Sequence, residues 1–253
     1  MRRSIPLSIV LATALATVAA PIRAQPGAAT SPDVEPEAIA ALERMGNYLR
    51  TLKSFRITTQ TSTDEVLDNG MKVTFSGVTD LLAQAPNHLR ADVTSDRQQR
   101  LYLYDGKAFT LFARRVNYYA TVPAPPTIGE LADRLEDKYG MEIPLVDLFR
   151  WGGPRASTAQ PTVATDIGPS AVDGTTCEHY AFRQPGLDWQ IWIQLGDHPL
   201  PRKLVITTLT DDARPQHTSV YSWDLAPSFD DGAFTFDPPP DAHKIVFAEG
   251  AKP

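Results

Sequence analysis

From Phe55 onward the chain alternates apolar and polar residues with a period of two, and three dipeptides punctuate it: Asn69-Gly70, Asp105-Gly106 and Asp173-Gly174. A period of two puts successive side chains on opposite faces of an extended strand. Asn-Gly and Asp-Gly tolerate positive φ at the tip of a tight hairpin whose twist matches the flanking strands. Strands are therefore predicted near 55–67, 71–84, 88–95, 97–104, 107–113 and 116–122. A second run is predicted at 162–167, 175–183, 187–195, 202–210 and 216–225, with a short segment at 234–236. Joined by tight turns, they read as one large antiparallel meander.

Helices precede and interrupt it. Ile39, Leu42, Met45, Gly46, Leu49 and Leu52 recur at the spacing of one buried helical stripe, which predicts a helix over Asp33–Lys53. Acidic residues lie at its start and Arg50 and Lys53 at its end, matching the helix dipole. Between the two strand runs, Thr127-Ile128-Gly129-Glu130 has the capping-box pattern. Ile128, Leu131 and Leu135 extend that helix to about Tyr139. A second short helix is predicted from Pro144 through Phe149, before Gly152-Gly153-Pro154 breaks it.

One-sided alternation means one covered and one wet face: Trp189, Ile191 and Ile193 share one face of their strand, as do Tyr221 and Trp223 of theirs. A sheet this wide must curl to protect its apolar side. The predicted result is a cup lined by apolar residues and lidded by the helices, a geometry that hosts apolar ligands. An ordinary filled core satisfies the same pattern. The candidate lining residues are Phe75, Leu131, Leu135, Leu148, Phe149, Trp151, Trp189, Ile191, Ile193, Tyr221 and Trp223.

The N-terminus carries Arg2-Arg3, an apolar run from Ile5 to Ala20, and Ile22-Arg23-Ala24. That order reads as a secretory signal peptide over residues 1–24, cleaved after Ala24, with Ala20 as the alternative. Its uninterrupted apolar stretch falls short of the roughly 20 residues of a membrane span. Residues 25–35 are small, polar and proline-rich, and read as a flexible tether. Residues 36–253 then form a single domain. The formal charge of −6 argues against nucleic acid as a partner, and loss of the leader removes three arginines and no acid. The lone Cys177 excludes an internal disulfide and any cysteine-based zinc site. In an oxidising compartment its thiol must be buried, oxidised or paired with another chain.

Several stretches, taken in order, carry a resemblance. They are Leu49-Arg50-Thr51-Leu52-Lys53-Ser54-Phe55, Leu103-Tyr104-Asp105-Gly106-Lys107 and Cys177-Glu178-His179-Tyr180-Ala181-Phe182-Arg183. Further on stand Asp188-Trp189-Gln190-Ile191-Trp192-Ile193, Pro199-Leu200-Pro201-Arg202-Lys203-Leu204 and Phe234-Thr235-Phe236-Asp237-Pro238-Pro239. Together they resemble a family of predicted bacterial periplasmic proteins of unknown function, within the fold group of the lipoprotein carriers (LolA/LolB-like). The resemblance implies an α+β, mainly β fold. Its large curved antiparallel sheet forms an unclosed barrel, with an N-terminal helix and two short lid helices on the concave side. It implies a periplasmic location and an apolar interior; in the carriers that interior holds lipoprotein acyl chains.

Catalytic signatures are sparse. His88 and Asp92 share a strand face, as do Cys177 and His179, but solvent-facing residues and a small buried cysteine are the plainer readings. The five histidines are not spaced as metal ligands, and no nucleophile elbow, phosphate loop or dinucleotide-binding glycine pattern occurs. No cofactor and no stable membrane anchor are expected. The expected function is binding or carriage of an apolar small molecule, a lipid, acyl chain or lipoprotein moiety, by a non-enzymatic periplasmic protein. The alternative is a protein-interaction or envelope-sensing module with a filled core and a periplasmic protein partner; a hydrolase ranks third.

Overall fold

Alternation and turn chemistry produce the sheet the sequence calls for, with its edges arranged differently. The computed structural model describes residues 33–151, 160–230 and 232–248, all within one compact unit, Pro32–Pro253. The predicted cleavage site at Ala24 lies outside the described residues. Helix α1 (Pro36–Thr51) is followed by β1 (Ser54–Val66), β2 (Lys72–Gln84), β3 (His88–Ser95), β4 (Gln99–Asp105), β5 (Ala108–Ala113) and β6 (Tyr118–Pro123). Then come α2 (Ile128–Tyr139), α3 (Asp147–Arg150), β7 (Val163–Val172), β8 (Thr175–Gln184), β9 (Leu187–Gln194), β10 (Pro201–Thr208), β11 (Gln216–Asp224) and β12 (His243–Ile245).

The twelve strands form one sheet in the order β12-β6-β5-β4-β3-β2-β1-β11-β10-β9-β8-β7. Two meanders therefore meet where β1 pairs with β11, and the sheet ends at β12 and β7 without closing into a barrel. All three predicted hairpin tips are turns, with Gly70, Gly106 and Gly174 at φ of 79°, 87° and 77°. A side chain is strained in that region, whereas glycine is not.

Several boundaries differ from expectation, each for a physical reason. Helix α1 starts at Pro36, where a missing amide costs nothing. The residues before it are tied to the sheet edge: Val34 forms an isolated parallel bridge with Ala164, and Glu35 N–H donates to the Ala164 carbonyl at 2.8 Å. Strand β7 continues to Val172, past the predicted stop at 167. A register shift between Asp166 and Gly168 absorbs the break, and Pro169 is tolerated because β7 is an edge strand. The predicted strand at 234–236 is the end of a turn followed by irregular chain instead, and the last strand is β12, pairing in parallel with β6. The helix predicted from Pro144 narrows to α3, because Leu145 takes φ 58°, outside helical space.

The concave face carries the main core. Ile57, Leu81, Leu89, Ala91, Tyr104 and Phe109 pack there against Met45 and Leu49 of α1 and Leu131 and Leu135 of α2. Thr127 caps α2 as predicted, its Oγ1 accepting the Glu130 amide at 3.2 Å. The convex face is not wholly wet. Leu101, Leu103 and Phe112 form a second small core there, covered by Phe236 and Ala242 of the C-terminal segment. The same segment then brings Phe247 against Phe109 and Tyr139 in the main core.

Candidate functional site

Three neighbouring strands change character at the same level of the concave face. On β1 the inward residues run Phe55, Ile57, Thr59 and Thr61. On β2 their partners run Ala83, Leu81, Thr79 and Gly77, and on β11 the partners of Ile57, Thr59 and Thr61 are Trp223, Tyr221 and Ser219. Apolar side chains give way to hydroxyls across all three. The apolar level lies under α1 and α2; the hydroxyl level faces the irregular segment Met141–Trp151, which includes only the single-turn α3.

Between that segment and the sheet is a cavity of about 340 Å³, near the lower end of the usual range for small-molecule sites, roughly 300–1,000 Å³. Thr61, Thr79, Ser219, His217 and Tyr221 line its floor, and Leu204 and Ile206 of β10 form one wall. Leu145, Leu148 and Trp151 close it from the covering segment. A narrower slot of about 170 Å³ runs between Leu49, Phe55, Ile128 and Phe149. A wider depression of about 670 Å³, lined by Ser62, Ser76, Thr94 and Val78 among others, is shallow and open to solvent.

The cover is anchored at its two ends. Met141 N–H donates to the Leu135 carbonyl at 3.1 Å, extending the capped end of α2. At the far end, Arg50 of α1 donates to the Trp151 carbonyl at 3.0 Å, and Arg150 pairs with Glu136 and, at 3.6 Å, with Asp133.

The floor is polar without being charged. His217 Nδ1 lies 2.8 Å from Thr63 Oγ1 and its Nε2 lies 2.9 Å from Ser219 Oγ, so both ring nitrogens meet hydroxyls. Burial lowers the His217 pKa, which keeps the ring neutral at neutral pH. Burial also pushes the Tyr221 phenol far up, with a hydrogen bond to Ser219 opposing. Asp147 stands at the mouth, exposed on one side; desolvation raises its pKa and Arg150 pulls the other way. Among the described residues, the buried hydroxyl of Thr59, between Tyr221 and Thr79 in the sheet, has no hydrogen-bond partner. The indole N–H of Trp189, opposite Ile206, is likewise unpaired.

The predicted lining residues separate into distinct groups. Leu148, Trp151 and Tyr221 line the cavity, and Leu148 and Phe149 line the slot. Leu131, Leu135, Ile191 and Ile193 are buried in the filled core. Trp189 stacks on Phe182 at 4.1 Å, and Trp223 packs on Phe55 while donating to the Pro201 carbonyl. Phe75 lies beyond the helical cover, beneath the guanidinium of Arg97 at 4.3 Å. Sequence reading missed the hydroxyl floor, although its signal was present: Thr59, Thr79 and Ser219 occupy inward positions where the alternation asks for apolar residues.

The pairs considered for catalysis are engaged elsewhere. Arg114 grips Asp92 with two bonds of 2.7 Å, and His88 packs edge-on against Phe234. His88 and Asp92 are four strand residues apart, roughly 13 Å at about 3.3 Å per residue. Cys177 is buried, its thiol pKa raised by desolvation, and it donates to the Thr175 carbonyl. His179 bonds Gln190 and stacks on Trp192 at 3.9 Å. Among the described residues there is no cluster of three metal-ligating side chains, and no helix is long and apolar enough to cross a membrane.

The fold and site define an open antiparallel half-barrel holding a small, polar-floored cavity beneath a partly irregular cover. The chain belongs to the family described as predicted periplasmic protein (DUF2092), which matches residues 38–248, and its place is the periplasm. No curated protein matches it. Among solved structures it is similar to an uncharacterized conserved protein from Thermus thermophilus, at 10% identity and a TM-score of 0.47, covering 83% of this chain and 99% of that one. LprF from Mycobacterium bovis aligns at 14% identity and a TM-score of 0.42, over 78% and 96% of the two chains. The Mycobacterium tuberculosis lipoprotein LppX aligns at 11% identity and a TM-score of 0.39, over 78% and 100%.

Proposed function

We propose that this protein binds and carries an apolar or amphiphilic molecule, such as a lipid or acyl chain, in the cavity between the Met141–Trp151 segment and the concave face. Export would rest on residues 1–24 as a cleaved leader. The observation that carries the reading is the cavity of about 340 Å³ on the concave side, larger than the slot of about 170 Å³ there. Burial of each methylene there contributes about 0.8 kcal/mol. Entry requires the cover to open; the segment has a single helical turn and is held by its end contacts and by the burial of Ile143, Val146 and Leu148.

Mass spectrometry of extracts from protein purified out of the periplasm tests the reading. A stoichiometric co-purifying lipid, together with uptake of the neutral dye N-phenyl-naphthylamine, is the expected result. Absence of both would overturn it. The filled core beneath α1 and α2 favours a second reading, a protein-interaction or envelope-sensing module. In that case crosslinking in the periplasm recovers a protein partner and no lipid.

A further inference from the structure

The residues that line the cavity specify more than apolarity. Its floor offers hydroxyls and a neutral imidazole, and the charged residues that line it, Glu142 and Asp147, are both acidic. Among the described residues, neither lysine nor arginine lines it. The strand amides around it are engaged in the sheet ladders of β1, β2 and β11. A carboxylate or phosphate placed there would lose its water, find no cation in the lining, Arg150 of the cover being paired with Glu136 and Asp133, and meet two acids. An uncharged hydroxyl or ester group meets none of these penalties.

A second, independent observation points the same way. Thr59 is fully buried, and among the described residues its hydroxyl has no partner. It shares the concave face with Thr79 and Tyr221, its partners on the two neighbouring strands, and both line the cavity. Buried hydroxyls are nearly always satisfied; Thr59 is not itself in the lining, and its hydroxyl is one that a ligand atom seated between Thr79 and Tyr221 would satisfy.

Resting on the ligand-binding reading above, we propose that the bound molecule carries an uncharged hydrogen-bonding head. That head seats among the lining residues Thr79, Ser219 and Tyr221, with the buried Thr59 hydroxyl behind them, and the apolar part lies against Leu148 and Trp151. Amphiphiles with anionic heads are rejected.

The full chain, loaded with N-phenyl-naphthylamine at neutral pH, tests this by displacement with decanol and with decanoate. Decanol is expected to displace the dye at a concentration at least tenfold below that of decanoate. Thr59→Val with Ser219→Ala should weaken decanol several-fold more than it weakens the dye, whose own affinity for the variant is measured first. Glu142 is exposed, so Glu142→Lys tests the charge argument without disturbing the core, and should strengthen decanoate several-fold with little change for decanol. Equal displacement by the two probes, or no response of decanoate to Glu142→Lys, would overturn the head-group assignment and leave ligand binding intact. Failure of both dye and decanol to bind would overturn the two together.

Discussion

One face of one sheet behaves in two ways. Under α1 and α2, Ile57, Leu81, Leu89 and Tyr104 meet Met45, Leu49, Leu131 and Leu135, and all of these are buried in one continuous core. A few residues further along the same strands, Thr61, Thr79 and Ser219 face a cavity. The difference comes from matching surfaces. Regular helices with apolar stripes interdigitate with apolar strand residues to near-crystalline density. The irregular cover packs Ile143, Val146 and Leu148 into the same core, but over the hydroxyl row it leaves the larger gap, about 340 Å³ against about 170 Å³ for the slot beside Leu49 and Ile128.

The sharpest way to break this contrast is to remove the same side chain from each half. Leu135→Ala, in the filled half, should cost about 2–5 kcal/mol in urea unfolding. Leu145→Ala, at the half-buried cover, should cost under about 1 kcal/mol. Similar losses at both sites would show that the cover packs as tightly as the core.

Enlarging side chains inverts the test. Ala91 of β3 and Thr79 of β2 both face inward, one in the core and one at the cavity. Ala91→Leu should cost about 1–3 kcal/mol by overpacking. Thr79→Leu should cost less than about 1 kcal/mol and reduce N-phenyl-naphthylamine uptake about tenfold. Undiminished dye fluorescence in Thr79→Leu would move the binding site elsewhere.

Acid should act on the open half first. The folded His217 has a pKa below its unfolded value of 6.5, because burial opposes its charge. The unfolded chain therefore binds more protons, and stability present above that value is lost as pH falls through it. His179 on the convex face shifts in the same direction, also by burial first. Urea midpoints should decline as pH falls below the unfolded value of 6.5, and His217→Gln should flatten that decline. A midpoint profile unchanged by this substitution would mean that the ring titrates as it does in water. Asp64 and Asp188, both held below the usual carboxylate range by side-chain hydrogen bonds, contribute only at lower pH.

The smallest effect belongs to the convex face. Arg56 holds Asp80 through two bonds of 2.8 and 2.7 Å, but both groups are solvent-accessible. Arg56→Ala should change stability by at most about 1 kcal/mol, and less at high salt. A larger loss would mean that this face carries more of the fold than its exposure implies.

Much of the molecule was legible beforehand, for local reasons. Hairpin dipeptides, the Thr127 cap and the α1 stripe act within a few residues, so their outcomes follow from sequence. The strand at 234–236 failed because Phe234 and Phe236 alternate like a strand yet serve as plugs, Phe236 on the convex core and Phe234 against His88. Leu131, Leu135, Ile191 and Ile193 were legible as inward-facing residues. Whether they would line a space depended on what stood opposite them, which no local pattern encodes.

The sequence by itself determined a wide, one-sided, curling sheet with three helices to cover it, because periodicity and turn chemistry act over short distances. Tertiary structure decided where that cover ran out. Thr59, Thr79 and Ser219 are far apart in the chain, and only the register of β1 with β2 and β11 sets them side by side. Only the path of Met141–Trp151 above them makes that row the floor of a cavity.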